Sequence, residues 1–326
     1  MSTDVIVYTE PPEALINLLR THHLPHALPL LRRLRFTRFP GGITEHARIL
    51  FASDADLASG DDALSAETPF AAAYLDFSRG PETEIWLYSS LERRPDALAS
   101  AAASAERAAS DEEEREEAAA RCARRVLREV RRQRDAYSDE RRALPTILAG
   151  TLNETLRMAL VNQGVIFAAV DVYDVWMFRL DALPDVLQKK PLADDMLWDR
   201  FRREDIPLML SRTHIQRKER TIVLLPSMAI YRQDGRPIAW ALLGPDSSLS
   251  NLHCEEEWRG RGFAKAVAVK LFRERLKEFD DDGYCWANVA PDNPGSQRVC
   301  KSLGGKVAWS VSWSKIDLDK SFPDQQ

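Results

Sequence analysis

Residues 248–271, SLSNLHCEEEWRGRGFAKAVAVKL, constrain the fold more than any other stretch of the 326-residue chain. Residues 249–254 read as a strand and residues 259–264 as a tight, basic, glycine-rich turn. A helix follows, with Ala264, Val267, Ala268 and Leu271 at helical spacing. Strand, glycine turn and helix in that order make an anion site. The first N–H groups of the helix point into the turn, and the macrodipole favours negative charge there. Gly260 and Gly262 lack the Cβ atoms that would hold a phosphate off the backbone. Arg259 and Arg261 add forked cations suited to a pyrophosphate.

The lysine-bearing phosphate loop is excluded, because no Gly-Lys-Ser/Thr follows the turn. The dinucleotide fingerprint fails on the offsets of its glycines. What remains is Arg-x-x-Gly-x-Ala at Arg259, Gly262 and Ala264, which resembles the pyrophosphate loop of the GCN5-related N-acetyltransferases, binders of acyl-coenzyme A (acyl-CoA). A strand-to-helix turn that needs glycine only for its own geometry fits the same six residues.

The length suggests about two domains. A net charge of -5 and a pI near 5.8 argue against a nucleic-acid partner. No apolar run reaches a membrane span, and no leader pattern opens the chain. Cys122, Cys254, Cys285 and Cys300 have neither metal nor disulfide spacing. The expectation is a cytoplasmic chain with no metal, nucleic-acid or membrane partner. His22, His23 and His26 fit either a metal or substrate site or solvated loop histidines, the commoner case.

In order, residues 13–21 and 27–35 read as helices, and residues 47–53, 70–77 and 84–91 as strands of an α/β unit. Residues 54–67 are an acidic loop. Residues 96–142, rich in Ala, Glu and Arg, read as a long solvated helix or a partly disordered insertion, with an oligomerisation arm as the alternative; their only clear apolar stripe is Val126, Leu127 and Val130. Residues 145–162 restart an amphipathic helix, and 165–180 hold one or two strands. Short helices are expected at 182–190 and 192–203, then a helix at 206–216. The boundary between halves falls near Pro191, giving domains 1–190 and 191–326. Beyond it come a strand at 227–231, an Asp-Gly hairpin turn at 233–237, a returning strand at 238–243, the phosphate loop with its helix, a strand at 284–290, a helix at 293–303 and a closing strand at 307–316.

That order resembles the acetyltransferase fold, and a second signature agrees with it. Asn293, Ser296, Cys300 and Gly304 have the spacing of the superfamily helix that borders the pantetheine arm. Residues 226–263 are also similar to the glycine N-acyltransferase family, through Asp234–Pro237, Trp240 and the pair Trp258-Arg259. The resemblance implies an α+β chain: a C-terminal half with a mostly antiparallel mixed sheet flanked by helices, and an N-terminal half that is an α/β domain or a degenerate copy of the same fold. It implies an acyl-CoA co-substrate, acetyl-CoA or another, held by Leu252, His253, Cys254, Arg259, Gly260, Arg261, Gly262, Phe263, Ala264, Asn293 and Ser296. It also implies direct acyl transfer to the amine of a small-molecule acceptor.

Two departures follow from the same alignment. The family's glutamate base falls at Ser248, which cannot act as a base unaided. The usual tyrosine acid falls at Cys300. His253 is the replacement base whose ordinary pKa suits the task, with Asp246 and Glu255 as further options. Cys300 is either the acid or a small core residue. Trp240, Trp286, Trp309 and Trp313 line a pocket or belong to the core. A catalytically lapsed CoA-binding protein, and transfer to a non-amine nucleophile, remain as alternative functions.

Overall fold

A computed structural model of the chain describes residues 5–53, 67–93, 105–186, 191–213, 215 and 217–323. The chain forms two compact units, one of residues 1–37, 43–171 and 311–326, the other of residues 38–42 and 172–310. This division does not follow the expected boundary at 190/191. Residues 311–317 of the C-terminal strand belong with the first unit because their pairing partners, residues 146–153, lie there.

The first unit contains β1 (Ile6–Tyr8), α1 (Glu13–His22), α2 (Leu28–Phe36), β2 (Arg48–Ser53), β3 (Phe70–Leu75), β4 (Ile85–Ser89), α3 (Ala105–Tyr137), α4 (Asp139–Arg142), β5 (Thr146–Asn153) and α5 (Glu154–Asn162). β1 to β4 pair antiparallel in sequence order, and β4 runs parallel to β5 through Ile85 and Ala149. Alternation along the strands divides the core. Phe70, Ala72 and Tyr74 meet Leu15, Leu19, Leu31 and Leu34 of α1 and α2. Ala71, Ala73 and Leu75 face the other way, toward α3.

The insertion is therefore not a solvated helix. Ala119, Ala120, Cys122, Ala123, Val126, Leu127 and Val130 are buried against β2, β3 and β4. Four of those seven positions are alanine or cysteine, which carry little apolar weight in a sequence but let a helix lie close to a sheet. Arg134 fastens its end, with Nη2 2.6 Å from Asp319 and 2.6 Å from Asp135. The expected acidic loop falls outside the described residues up to Ala66, as do residues 96–104.

Residues 145–162 are a strand followed by a helix. Leu148, Leu152, Leu156 and Leu160 keep an i,i+4 spacing across both elements, which imitates one helix. Non-local pairing overrides it: Thr146 to Asn153 pair with Asp317 to Val311 at the C-terminus. Asn153 then caps α5, accepting from Thr155 N–H at 2.8 Å. Of the three clustered histidines, His23 is buried at 1% exposure, its Nδ1 3.0 Å from the Tyr88 hydroxyl. Burial pushes its pKa down to about 3.

β6 (Ile166–Arg179) begins in the first unit and ends in the second. The second unit continues with β7 (Met196–Asp199), α6 (Ile206–Ser211), α7 (Glu219–Ile222), β8 (Ser227–Arg232), β9 (Pro237–Leu243), β10 (Leu249–Cys254), α8 (Phe263–Arg275), β11 (Tyr284–Val289) and α9 (Pro294–Ser302). β12 (Lys306–Asp317) and α10 (Leu318–Ser321) close the chain. β7 to β10 form an antiparallel sheet, with α8 lying across β8, β9 and β10. The expected helix at 192–203 is instead β7 and a short 3-10 turn, because Met196–Asp199 pairs with β8. Residues 187–190 lie outside the described set. The helix expected at 206–216 stops at Ser211. The hairpin turn is as read, with Gly235 at φ 85.

Candidate active site

β10 is the strand on which the site rests. Its ladder with β9 runs from Leu249 and Ser250, is interrupted, and resumes at His253 and Cys254. At the interruption Asn251 has φ 52, a left-handed conformation that few residues other than glycine, Asn and Asp adopt. Such a bulge takes backbone groups out of the ladder and bends the strand. On its other side β10 has no ladder with β11, although the two strands lie close. β11 pairs instead with residues 174–179 of β6. Ser247 Oγ, just before β10, receives the Trp286 indole N–H of β11 at 3.3 Å. The strands are thus bridged beside the start of β10, and the bulge lies further along.

The glycine turn closes this arrangement. Gly260 and Gly262 have φ 74 and 87, and a Cβ at either would meet nothing within 4 Å. The glycines are needed for their backbone conformation, and the space above them is open. Gly262 is the N-cap of α8, and no side chain among the described residues caps the helix. Its first N–H groups face that open space without a capping acceptor. Arg259 Nε donates to the Cys254 carbonyl at 3.1 Å, tying turn to strand. Arg261 donates to the Glu257 carbonyl at 3.1 Å and lies over the Trp258 ring at 4.7 Å. Phe263 packs near Trp258, at 6.1 Å between centroids.

Asn293 caps α9, its Oδ1 accepting from Ser296 N–H at 3.0 Å. That spacing is therefore an N-cap as well as a resemblance, and the cap fixes the end of the helix after β11.

The acid–base candidates separate clearly. His253 stacks on Trp240 at 4.6 Å, and its Nε2 is buried with no hydrogen-bond partner among the described residues, the Glu255 carboxylate lying at 3.7 Å. Burial lowers its pKa against the pull of Glu255, so the ring is neutral at neutral pH. Glu255 is held in turn by Arg212 Nε at 3.1 Å. Ser248 is buried, its hydroxyl donating to Asp246 Oδ1 at 2.6 Å within the turn before β10. The same carboxylate oxygen receives the Ser248 N–H at 3.1 Å, so both groups act first as turn formers. Burial pushes the Cys254 thiol up to about 11 and the Cys300 thiol up to about 12. Both are weaker acids than an ordinary thiol. Cys300, Trp240 and Trp286 are buried core residues, and Trp313 donates to Thr83 Oγ1 at 3.2 Å in the first unit.

The first unit repeats part of this plan without the site. β5 has a left-handed residue, Thr151 at φ 52, opposite a register shift in β12. No glycine turn follows, because α5 starts directly at Glu154. Residues 311–317 of β12 occupy the edge of β5.

Asn251 escaped the sequence reading. A left-handed Asn inside a strand leaves no periodic mark, and only the preceding Ser and the tolerance of Asn for that conformation hint at it.

The family model described as the acyl-CoA N-acyltransferase verG N-terminal domain matches residues 2–178. An FR47-like protein model matches residues 227–314. No curated protein matches. A Drosophila protein of known structure is 15% identical over 93% of this chain and 95% of its own, with a TM-score of 0.58, and shares the fold. A tandem GNAT protein from the clavulanic acid biosynthesis pathway is 10% identical over 96% and 97%, at a TM-score of 0.48. A GCN5-related N-acetyltransferase from Sphaerobacter thermophilus is 15% identical over 96% of each chain, at 0.44. With residues 2–178, more than half of its length, under the first family model, the chain belongs to the acyl-CoA N-acyltransferase family of that model.

Proposed function

We propose that this chain transfers an acyl group, acetyl in the simplest case, from acyl-CoA directly to the amine of a small-molecule acceptor. The observation that carries the reading is the left-handed kink at Asn251, set on a strand that leads into an uncapped glycine turn. Residues 259–264 would hold the diphosphate, and the backbone of Asn251 to Cys254 would hold the thioester end. Asn293 and Ser296 would border the pantetheine arm. Only the second unit would take the co-substrate, since β12 lies where the first unit would need an open edge.

The step is attack by a neutral amine on the thioester carbonyl. A backbone N–H freed from the β10 ladder polarises the carbonyl oxygen. His253, neutral and with no hydrogen bond at Nε2 among the described residues, takes the proton from the attacking nitrogen. The C–S bond breaks, and that proton passes to the thiolate, directly or through water. Cys300 is not assigned as the acid, because a thiol near 12 holds its proton too firmly. A covalent route through Cys254 is not favoured for the same reason. The cytoplasm is the proposed location, and among the described residues no helix is long and apolar enough to cross a membrane.

Ser248, placed where the family base would stand and bound to Asp246, favours one other reading, a CoA-binding protein without turnover. Free-thiol release from acetyl-CoA across a panel of small amines, with product mass, tests both. Acylated amine supports the enzyme. Tight binding by calorimetry without thiol release supports the binder, and an acylated alcohol would move the reaction to a hydroxyl.

A further inference from the structure

Asn251 does more than kink its strand. Its Oδ1 accepts from the Ser250 hydroxyl at 2.9 Å. That hydroxyl oxygen in turn accepts from Arg217 Nη2 at 3.0 Å. The two bonds run in one direction, from guanidinium to hydroxyl to amide oxygen, and each polarises the next. They fix which end of the carboxamide is occupied. The other end, Nδ2, is buried and has no hydrogen-bond partner among the described residues. A left-handed Asn needs only its short side chain to justify itself locally. An amide anchored on one side by a charge-assisted relay, with a buried donor left over, goes beyond that need, because an unpaired buried donor costs about 1–3 kcal/mol.

Two residues along the same strand, beyond the break in the ladder, His253 Nε2 is likewise buried and without a hydrogen-bond partner. A donor and a neutral acceptor on either side of one bulge suit an intermediate that bears an oxyanion and a protonated nitrogen on the same carbon. We propose that the Asn251 side chain is a second hydrogen-bond donor to the thioester carbonyl oxygen, and to the oxyanion it becomes, with Ser250 and Arg217 as positioning residues. This rests on the acyltransferase reading above. No bond is made or broken at Asn251: it donates an N–H to oxygen while the amine adds and the thiolate leaves.

The test uses the full chain and acetyl-CoA labelled with carbon-13 at the carbonyl. Calorimetry first establishes binding to the wild type and to Asn251→Ala, and thermal unfolding establishes that the variant is folded. Isotope-edited infrared spectra then read the bound carbonyl. The expected result is a carbonyl band at lower frequency than in free acetyl-CoA, with part of that shift lost in Asn251→Ala at unchanged affinity. With an active amine, kcat falls on the order of 10²-fold while KM for acetyl-CoA stays within a few-fold. Ser250→Ala lowers kcat by up to about tenfold, the worth of one orienting hydrogen bond. An identical carbonyl band in wild type and Asn251→Ala overturns the inference and leaves the acyltransferase reading standing. So does a variant whose only defect is a raised KM for the amine. Failure of the wild type to bind acetyl-CoA overturns both.

Discussion

Replacing Gly262 by alanine separates what the turn does for the fold from what it does for a ligand. Gly262 has φ 87, and a Cβ there would touch no atom of the described residues within 4 Å. The cost to stability is therefore the left-handed backbone alone, about 1–2 kcal/mol. Gly235, in the hairpin between β8 and β9, has φ 85 and the same open surroundings. Gly235→Ala carries the same strain with no part in the site, which makes it the matched control. Both variants should lose similar stability in urea unfolding. Only Gly262→Ala puts a methyl group into the space where the diphosphate meets the α8 N–H groups. Loss of one hydrogen bond to a charged group, about 1.5–3 kcal/mol, weakens binding by roughly 10- to 100-fold. Calorimetry with acetyl-CoA reads the difference. Equal affinities in the two variants would falsify the phosphate assignment of the turn, whatever happened to stability.

Three other outcomes follow from the same geometry. The acid limb of kcat/KM should lie below the ordinary histidine value of about 6.5, because burial lowers the pKa of His253. Glu255 pulls that pKa upward, so Glu255→Gln should move the limb to still lower pH, and His253→Gln should cost on the order of 10²–10⁴-fold in kcat. A limb that ignores both changes would remove His253 from the mechanism. Leu127→Ala on α3 should cost about 2–5 kcal/mol by urea unfolding, since Leu127 is fully buried, whereas Glu113→Ala on the exposed end should cost almost nothing; equal small effects would mean that α3 does not dock. His23, with a pKa near 3 in the fold, refuses a proton that the unfolded chain accepts near 6.5. Stability should fall as pH drops through that window, by up to about 1.4 kcal/mol per unit from this residue, and His23→Gln should flatten the slope.

The second unit was the more legible half, for reasons visible in its residues. An Asp-Gly turn, a glycine pair before a helix and an Asn cap each tie one residue type to one backbone need, so residues 227–310 can be read locally. The first unit depends on contacts that local reading cannot see. Thr146–Asn153 is a strand because residues near position 315 pair with it, while its leucines follow a helical period. The long insertion docks through alanines, whose fit to a sheet is a matter of distance and not of hydropathy. At the site, the glycine turn is readable but the local contacts of its arginines are not: Arg259 donates to the Cys254 carbonyl and Arg261 lies over Trp258. Asn251 and the burial of both thiols depend on tertiary structure alone.

Cocrystals of the full chain with acetyl-CoA reach the central idea most directly. The account predicts density for the diphosphate over Gly260 and Gly262, with the thioester lying along β10 at Asn251 and its carbonyl oxygen within hydrogen-bond reach of that residue. Density for the nucleotide elsewhere on the chain, with the turn before α8 empty, would contradict it.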